Sequence, residues 1–331
     1  MMRIGLALPQ FEFSVPGERP LRWATVLDWA QRAEQLGFGS LWLADHLFWE
    51  LSRYGGPPEP GASFDPLPAL AALARGTTRP RLGTLVLNGP LRPATLLAKA
   101  LATLDVIAHG RLTVGLGAGW YEPEFAAAGL PFPPPGQRLA DLADAIETLR
   151  RTWSPDELPP SLPPPVQRPC PPIWVGGKGG PKLLDLVARH ADGWNTVWQW
   201  TPEDYRERLA ALDRACATAG RDPTTVTRSL GLYALVGEDE RDLRRRFERL
   251  QAVSPPGILD RVSLEEWRQG RLVGGVEEVR EQLAVWDGLG VAELVVNTGA
   301  APFVAGPRDD VEIVAAACSL LAPWEASELR N

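Results

Sequence analysis

Short apolar runs and amphipathic stretches alternate through this sequence, and that alternation constrains its fold more than any other feature. Residues 3–8 (RIGLAL) are a strand-like run. Residues 22–36 (RWATVLDWAQRAEQL) put Trp23, Val26, Leu27, Ala30, Ala33 and Leu36 on one helical face, and Gly37 supplies a C-cap. SLWLAD, 40–45, returns to a strand pattern. The alternation continues as helix 66–75, strand 81–88, helix 93–107, strand 111–117, helix 136–153, strand 172–177, helix 180–190 and strand 192–198. Helix 202–219 follows with Thr201 as N-cap, then strand 225–237, a helical stretch 239–250, helix 275–290, strand 293–297 and a last helix 309–321. Segment 154–171 is a proline-rich excursion, and the chain from about 251 to 274 reads as irregular. Eight strands separated by helices must pair in parallel through right-handed crossovers. The reading is an α/β fold, a closed (β/α)8 TIM barrel, with residues 1–331 as one domain and loop insertions at the C-terminal mouth. The competitor is a doubly wound open sheet, but no unit reads as a second small domain. No short-period repeat suggests a solenoid.

Bulk properties narrow the function. A net charge of −7 argues against nucleic-acid binding, which needs a basic face. No uncharged apolar run reaches 18 residues, so no membrane span is expected. The start, MMRIGLALPQ, reads directly as a strand rather than a leader, and Cys170, Cys216 and Cys318 lie far apart. Together these predict a cytoplasmic protein without a disulfide framework or a zinc site. The 33 prolines cluster at 57–68, 131–135 and 155–172, marking loops. Several of the 13 tryptophans fall near strand ends, namely Trp42, Trp120, Trp174, Trp194 and Trp198. They either line an aromatic pocket or fill the core, and core filling is the simpler reading for each.

The stretch LTVGLGAGWYEPE, 112–124, has glycines at 115, 117 and 119. The dinucleotide fingerprint is G-x-G-x-x-G opening directly into a helix of the first βαβ unit. Here the spacing differs, Pro123 follows, no immediate helix is expected, and the segment belongs to the fourth strand. A Rossmann reading is therefore weak. At a barrel mouth, bare backbone would let a flat ligand lie close; alternatively, Gly115 is a barrel residue chosen for small volume.

Barrel active sites lie at the C-terminal ends of the strands. That filter separates the three histidines. His109 falls between a helix and a strand at the opposite end, and His190 ends a helix, where a cation offsets exposed carbonyls. His46, directly after Asp45, alone sits at the mouth, where it can relay a proton or merely order the 46–65 loop. No second histidine joins it to make a metal site, and no G-x-S-x-G elbow is present. Glu122 and Glu124 are candidates for a paired-carboxylate site, but as adjacent loop acids they read more simply as solvated surface. A second glycine cluster, VGGKGGPK at 175–182, joins a strand to a helix. Backbone N–H groups there, with Lys178 and Lys182, suit an anion such as phosphate.

These pieces together resemble the bacterial luciferase-like flavin-dependent oxidoreductases, and most closely their coenzyme F420-dependent branch. The resemblance rests on RIGLALPQ, AEQLGFGSLWLADHLF (33–48), LGTLVLNGPLRPATLLAKALATLDVIAHGRLTVGLGAGWYEPEF (82–125), PPIWVGGKGGPKLLDLVARHADGWN (171–195) and GGVEEVREQLAVWDGLGVAELVVN (274–297). It implies a luciferase-like (β/α)8 barrel with a flat deazaflavin ring at the mouth, held by Asp45, Leu85, Val86, Asn88, Gly117, Ala118, Gly119 and Trp120. It implies a non-prolyl cis peptide at Leu85–Val86, a phosphate on Gly176, Gly177, Lys178, Gly179 and Gly180, and His46 beside the reactive carbon. The implied activity is F420-dependent hydride transfer to or from an unknown small organic substrate. The alternatives are an FMN-dependent monooxygenase using oxygen, fed by a separate reductase, and a non-catalytic flavin-binding protein. The resemblance also implies a homodimer. One branch is disfavoured: F420-dependent sugar-phosphate dehydrogenases carry a glutamate where this chain has Trp120. The compact length favours F420 over the longer FMN monooxygenases.

Overall fold

The structure, a computed structural model, describes residues 2–154 and 163–318. Eight parallel strands close into a barrel: β1 (Arg3–Ala7), β2 (Ser40–Leu43), β3 (Arg81–Thr84), β4 (Leu112–Gly117), β5 (Ile173–Gly176), β6 (Gly193–Trp198), β7 (Thr227–Gly237) and β8 (Glu293–Asn297). Neighbours in sequence are neighbours in the sheet, and β8 pairs with β1 to complete the ring. The expected (β/α)8 barrel is therefore the observed fold.

The outer ring contains α1 (Trp23–Gln35), α2 (Pro66–Gly76), α3 (Ala94–Ile107), α4 (Glu122–Ala127), α5 (Pro135–Trp153), α6 (Pro181–His190), α7 (Pro202–Thr218), α8 (Glu240–Val253), α9 (Leu264–Arg268), α10 (Val276–Gly288) and α11 (Arg308–Cys318). Local chemistry sets many of their starts. Asp65, Thr201 and Asp239 accept from backbone N–H groups of the first turns of α2, α7 and α8, and Ser263 with Glu266 forms a capping box on α9. Residues 319–321, expected to end the last helix, and residues 155–162 of the proline-rich segment lie outside the described residues.

Two local expectations are corrected. The segment to 274 is not wholly irregular: Leu272–Gly275 is a strand pairing in parallel with Ala234–Gly237. The long β7 closes the barrel with its first part and carries this extra strand on its last part. A four-residue apolar run between polar stretches was too short to show a period. A helix does follow the LGAGWY loop. It is the short α4, with Pro123 in its first turn, where a missing N–H costs no hydrogen bond.

The barrel interior is filled by indoles set against glycines. Trp42 of β2 and Trp174 of β5 stack across the axis, ring centres 5.4 Å apart. A methyl at Gly83 would lie 2.3 Å from the Trp42 ring, one at Gly5 2.7 Å from Trp42 Nε1, and one at Gly193 2.6 Å from Trp174. Below them, buried Glu293 accepts hydrogen bonds from Trp42 Nε1 (3.0 Å), Ser40 Oγ and Arg3 (3.1 Å). That set satisfies a carboxylate which would otherwise be costly to bury. Above them a second apolar cluster, including Phe11, Trp49, Trp198, Tyr233, Trp267 and Phe303, lines the mouth. Because the interior is already full, Gly83→Ala should overpack it. We expect a loss of about 1–3 kcal/mol, read as a lower urea midpoint with an unchanged slope.

Candidate functional site

The strand ends bring the sequence-singled residues to one mouth. After β3 the chain passes through a cis Leu85–Val86 peptide and resumes pairing with β4 at Leu87–Asn88. The cis bond is where the resemblance placed it; a second non-prolyl cis bond, Val197–Trp198, was not foreseen.

The displaced Val86 explains the glycines of LTVGLGAGW. A methyl at Gly117 would lie 2.7 Å from Val86, one at Gly176 2.6 Å from it, and one at Gly115 2.0 Å from the Thr84 carbonyl oxygen. These three glycines first make room for the protein's own β3 bulge. Gly119 differs: its φ of +75° is left-handed, and a methyl there would meet Phe125 at 2.5 Å and Asn88 Oδ1 at 2.7 Å. Ala118 packs against the main core, while Trp120 is 46% exposed above the loop.

Asp45 lies inside the wall. Its carboxylate accepts from the Asn88 N–H (2.9 Å) and from both terminal nitrogens of Arg92, which also reaches Asp65 at 2.8 Å. Burial pushes the Asp45 carboxyl above its usual range, and Arg92 pulls the other way. Burial also opposes the Arg92 charge, but the Asp45 and Asp65 carboxylates outweigh it and raise Arg92. Gln10 ties the ends of β1 and β2, bonding Ala44 N–H and carbonyl at 2.7 Å each.

His46 stands at the mouth among aromatic rings. Its ring stacks on Trp49 at 5.6 Å and meets Trp120 edge-on at 5.9 Å. Its Nδ1 lies 3.0 Å from Glu124 Oε2, and the other oxygen of Glu124 accepts from the Leu47 N–H. Glu124 is 1% exposed, which overturns its reading as a solvated acid. Sequence reasoning missed it because α4 was not expected; a helix turns the residue inward beneath Trp120. With the carboxylate accepting, Nδ1 is the protonated nitrogen, and Nε2 takes no hydrogen-bond partner among the described residues. Glu122, at the start of α4, stays exposed. His109 and His190 are remote: the first precedes β4, and the second ends α6 beside Glu147 at 3.3 Å.

The VGGKGG loop joins β5 to α6 as the sequence suggested. Gly177 N–H donates to the Asn195 carbonyl at 3.0 Å, and Gly179 is left-handed at φ +73°. Gly180 is the N-cap of α6 and has no side-chain cap. Lys178 donates to the Val197 carbonyl and lies 5.2 Å from the Trp200 ring centre. Removal from water, and secondarily the nearby Arg53, lowers its pKa. Arg53 itself lies over Trp120 at 4.8 Å.

The family described as luciferase-like monooxygenase matches residues 2–293. The chain belongs to that family. It is thus an enzyme of the luciferase-like oxidoreductases. It is 32% identical over 305 residues to the F420-dependent hydroxymycolic acid dehydrogenase of Mycobacterium tuberculosis, covering 85% of this chain and 78% of that protein. It is 30% identical over 254 residues to the phthiodiolone/phenolphthiodiolone dimycocerosates ketoreductase of the same organism, covering 68% of this chain and 65% of the relative. Among solved structures, monooxygenase RslO1 from Streptomyces bottropensis superposes with a TM-score of 0.69 at 25% identity, covering 97% of this chain and 99% of that one. No helix among the described residues is long and apolar enough to cross a membrane.

The packing of Val86 against Gly176 is testable as a pair. Gly176→Ala alone should cost about 1–3 kcal/mol through overpacking. Because the methyl's three nearest neighbours are all Val86 side-chain atoms, Val86→Ala in the same chain should recover most of that loss. A double-mutant cycle in urea reads the coupling.

Proposed function

We propose that the protein is an F420-dependent oxidoreductase that interconverts an alcohol and a carbonyl on a small organic substrate. The observation that carries this reading is His46, fixed through Nδ1 by buried Glu124 with Nε2 left over at the barrel mouth. The dehydrogenase and ketoreductase names of two relatives favour alcohol and ketone chemistry.

The residues present fit such a coenzyme. Asn88 Oδ1 is buried without a donor, beside the Gly119 backbone, and suits an N–H on a flat heterocycle. At the start of α6, the Gly180 and Lys182 N–H groups take no hydrogen-bond partner among the described residues. With Lys178 they suit a phosphate. Gly176, Gly177 and Gly179 keep side chains off that loop. Leu85 and Val86 would support one face of the ring, and Asp45 acts at one remove by holding Asn88.

When bound, F420 supplies or accepts the hydride. The chain's own part is the proton. For carbonyl reduction, Nε2–H of the doubly protonated imidazole is given to the developing alkoxide. For alcohol oxidation, neutral Nε2 takes the hydroxyl proton. Glu124 stays an acceptor throughout and keeps the ring in its orientation. Phe11, Trp49 and Trp120 surround the imidazole and limit water around it.

A side-by-side titration of the purified protein with F420 and FMN, oxidised and reduced, tests the reading. Micromolar or tighter F420 binding is expected. Preference for reduced FMN with oxygen consumption would instead support the second reading, a monooxygenase, which the likeness to RslO1 favours. His46→Ala should lower turnover by about 10²–10⁴-fold while leaving F420 affinity near wild type. Glu124→Gln should also lower turnover more than affinity. Equal losses of turnover and affinity in both variants would demote the pair to a structural role.

A further inference from the structure

The wall of the mouth built on β7 holds polar atoms that the proton transfer does not use. Tyr233 is 4% exposed and its Oη is buried without a hydrogen-bond partner; Trp267 is 3% exposed and its Nε1 is in the same condition. Their rings are 5.4 Å apart. The guanidinium of Arg271 lies 4.0 Å from the centre of the Trp267 ring and 5.4 Å from that of Tyr233. Such stacking fixes the plane of the guanidinium.

The hydrogen bonds of Arg271 are one-sided. Its Nη1 donates to the carbonyls of Trp267 (3.1 Å) and Gln269 (3.0 Å). Its Nε is buried and unpaired, Nη2 takes no partner, and no Asp or Glu lies within ion-pair range among the described residues. Nε–H and Nη2–H form the side-on edge of a guanidinium, the edge that matches both oxygens of a carboxylate. A neutral ligand would leave the charge uncompensated, whereas an anion would offset it. Arg271 is only half-buried and its Nη2 is not among the enclosed atoms, so a ligand can reach the guanidinium through Nη2, while the enclosed Nε, Tyr233 Oη and Trp267 Nε1 join it through local side-chain movement. Trp198, 5.8 Å from Tyr233, extends the aromatic surface toward Phe303 and Phe11, and Phe11 lies 6.0 Å from His46. A chain of ring contacts thus links the orphaned donors to the proton-transfer histidine.

We propose that Arg271, Tyr233 and Trp267 form a carboxylate-binding subsite, so that the substrate of the proposed oxidoreductase carries a carboxylate on an apolar or aromatic body. This rests on the assignment of the mouth as the substrate side. The carboxylate lies bidentate on the Arg271 edge, Tyr233 Oη and Trp267 Nε1 supply further donors, and the body of the substrate runs along the Trp198 face toward His46.

Calorimetric titration with benzoate tests the subsite without turnover, with benzamide as the neutral control. Wild type should bind benzoate saturably and better than benzamide. Arg271→Gln should weaken benzoate by about tenfold or more, the effect of losing a charge-assisted pair. Tyr233→Phe, which preserves packing, should weaken it by a smaller factor. F420 affinity should be unchanged in both variants. Benzoate binding no tighter than benzamide, or unaffected by Arg271→Gln, would overturn the proposal. So would a parallel loss of F420 affinity, because the anion site would then belong to the coenzyme. If benzoate behaves as expected but wild type binds no F420, the subsite stands and the coenzyme assignment falls.

Discussion

The stacked pair Trp42 and Trp174 occupies the barrel axis, and much of the molecule follows from that one packing decision. Two indoles meeting across the axis leave no room for side chains on adjacent strands, so Gly5, Gly83 and Gly193 stand there. The Trp42 N–H needs an acceptor, and Glu293 supplies it while closing the bottom of the barrel with Arg3 and Ser40. At the mouth, the next layer is built from a displaced Val86 and the glycines that receive it.

At that mouth, two acids with unremarkable sequence surroundings have opposite duties. Asp45 is buried against Arg92 and the Asn88 N–H, and it holds the end of β2 to the turn after β3. Glu124 is buried against His46 and the Leu47 N–H, and it holds an imidazole. The first makes the site rigid; the second leaves one ring nitrogen committed and the other available. The proton transfer proposed for His46 depends on both. The same accounting of partners bears on Arg271, whose side-on edge meets no acid among the described residues.

Much of the barrel was legible because its signals are local. Period-3.6 faces, N-caps at Asp65 and Thr201, and apolar strands such as Leu112–Gly117 each carry their own evidence. His46 was legible by position, at the end of a strand, and the cis Leu85–Val86 bond by resemblance. The strand Leu272–Gly275 was not legible, since it exists only because the overlong β7 offers it an edge. Glu124 was not legible either: burial is a property of what packs over a residue, and the short α4 that turns it inward has little periodicity of its own.

The sequence by itself determined the order of strands and helices, the parallel barrel they must form, and the end of that barrel where chemistry would lie. Those follow from side-chain period and chain connectivity, which are written along the chain. Only the tertiary structure decided what the glycines receive, which acid holds His46, and that the side-on edge of Arg271 meets no acid among the described residues. Those depend on contacts between residues tens to hundreds of positions apart, such as His46 with Glu124 or Trp42 with Glu293. No local pattern encodes such a contact, because either partner would look the same on a solvated surface.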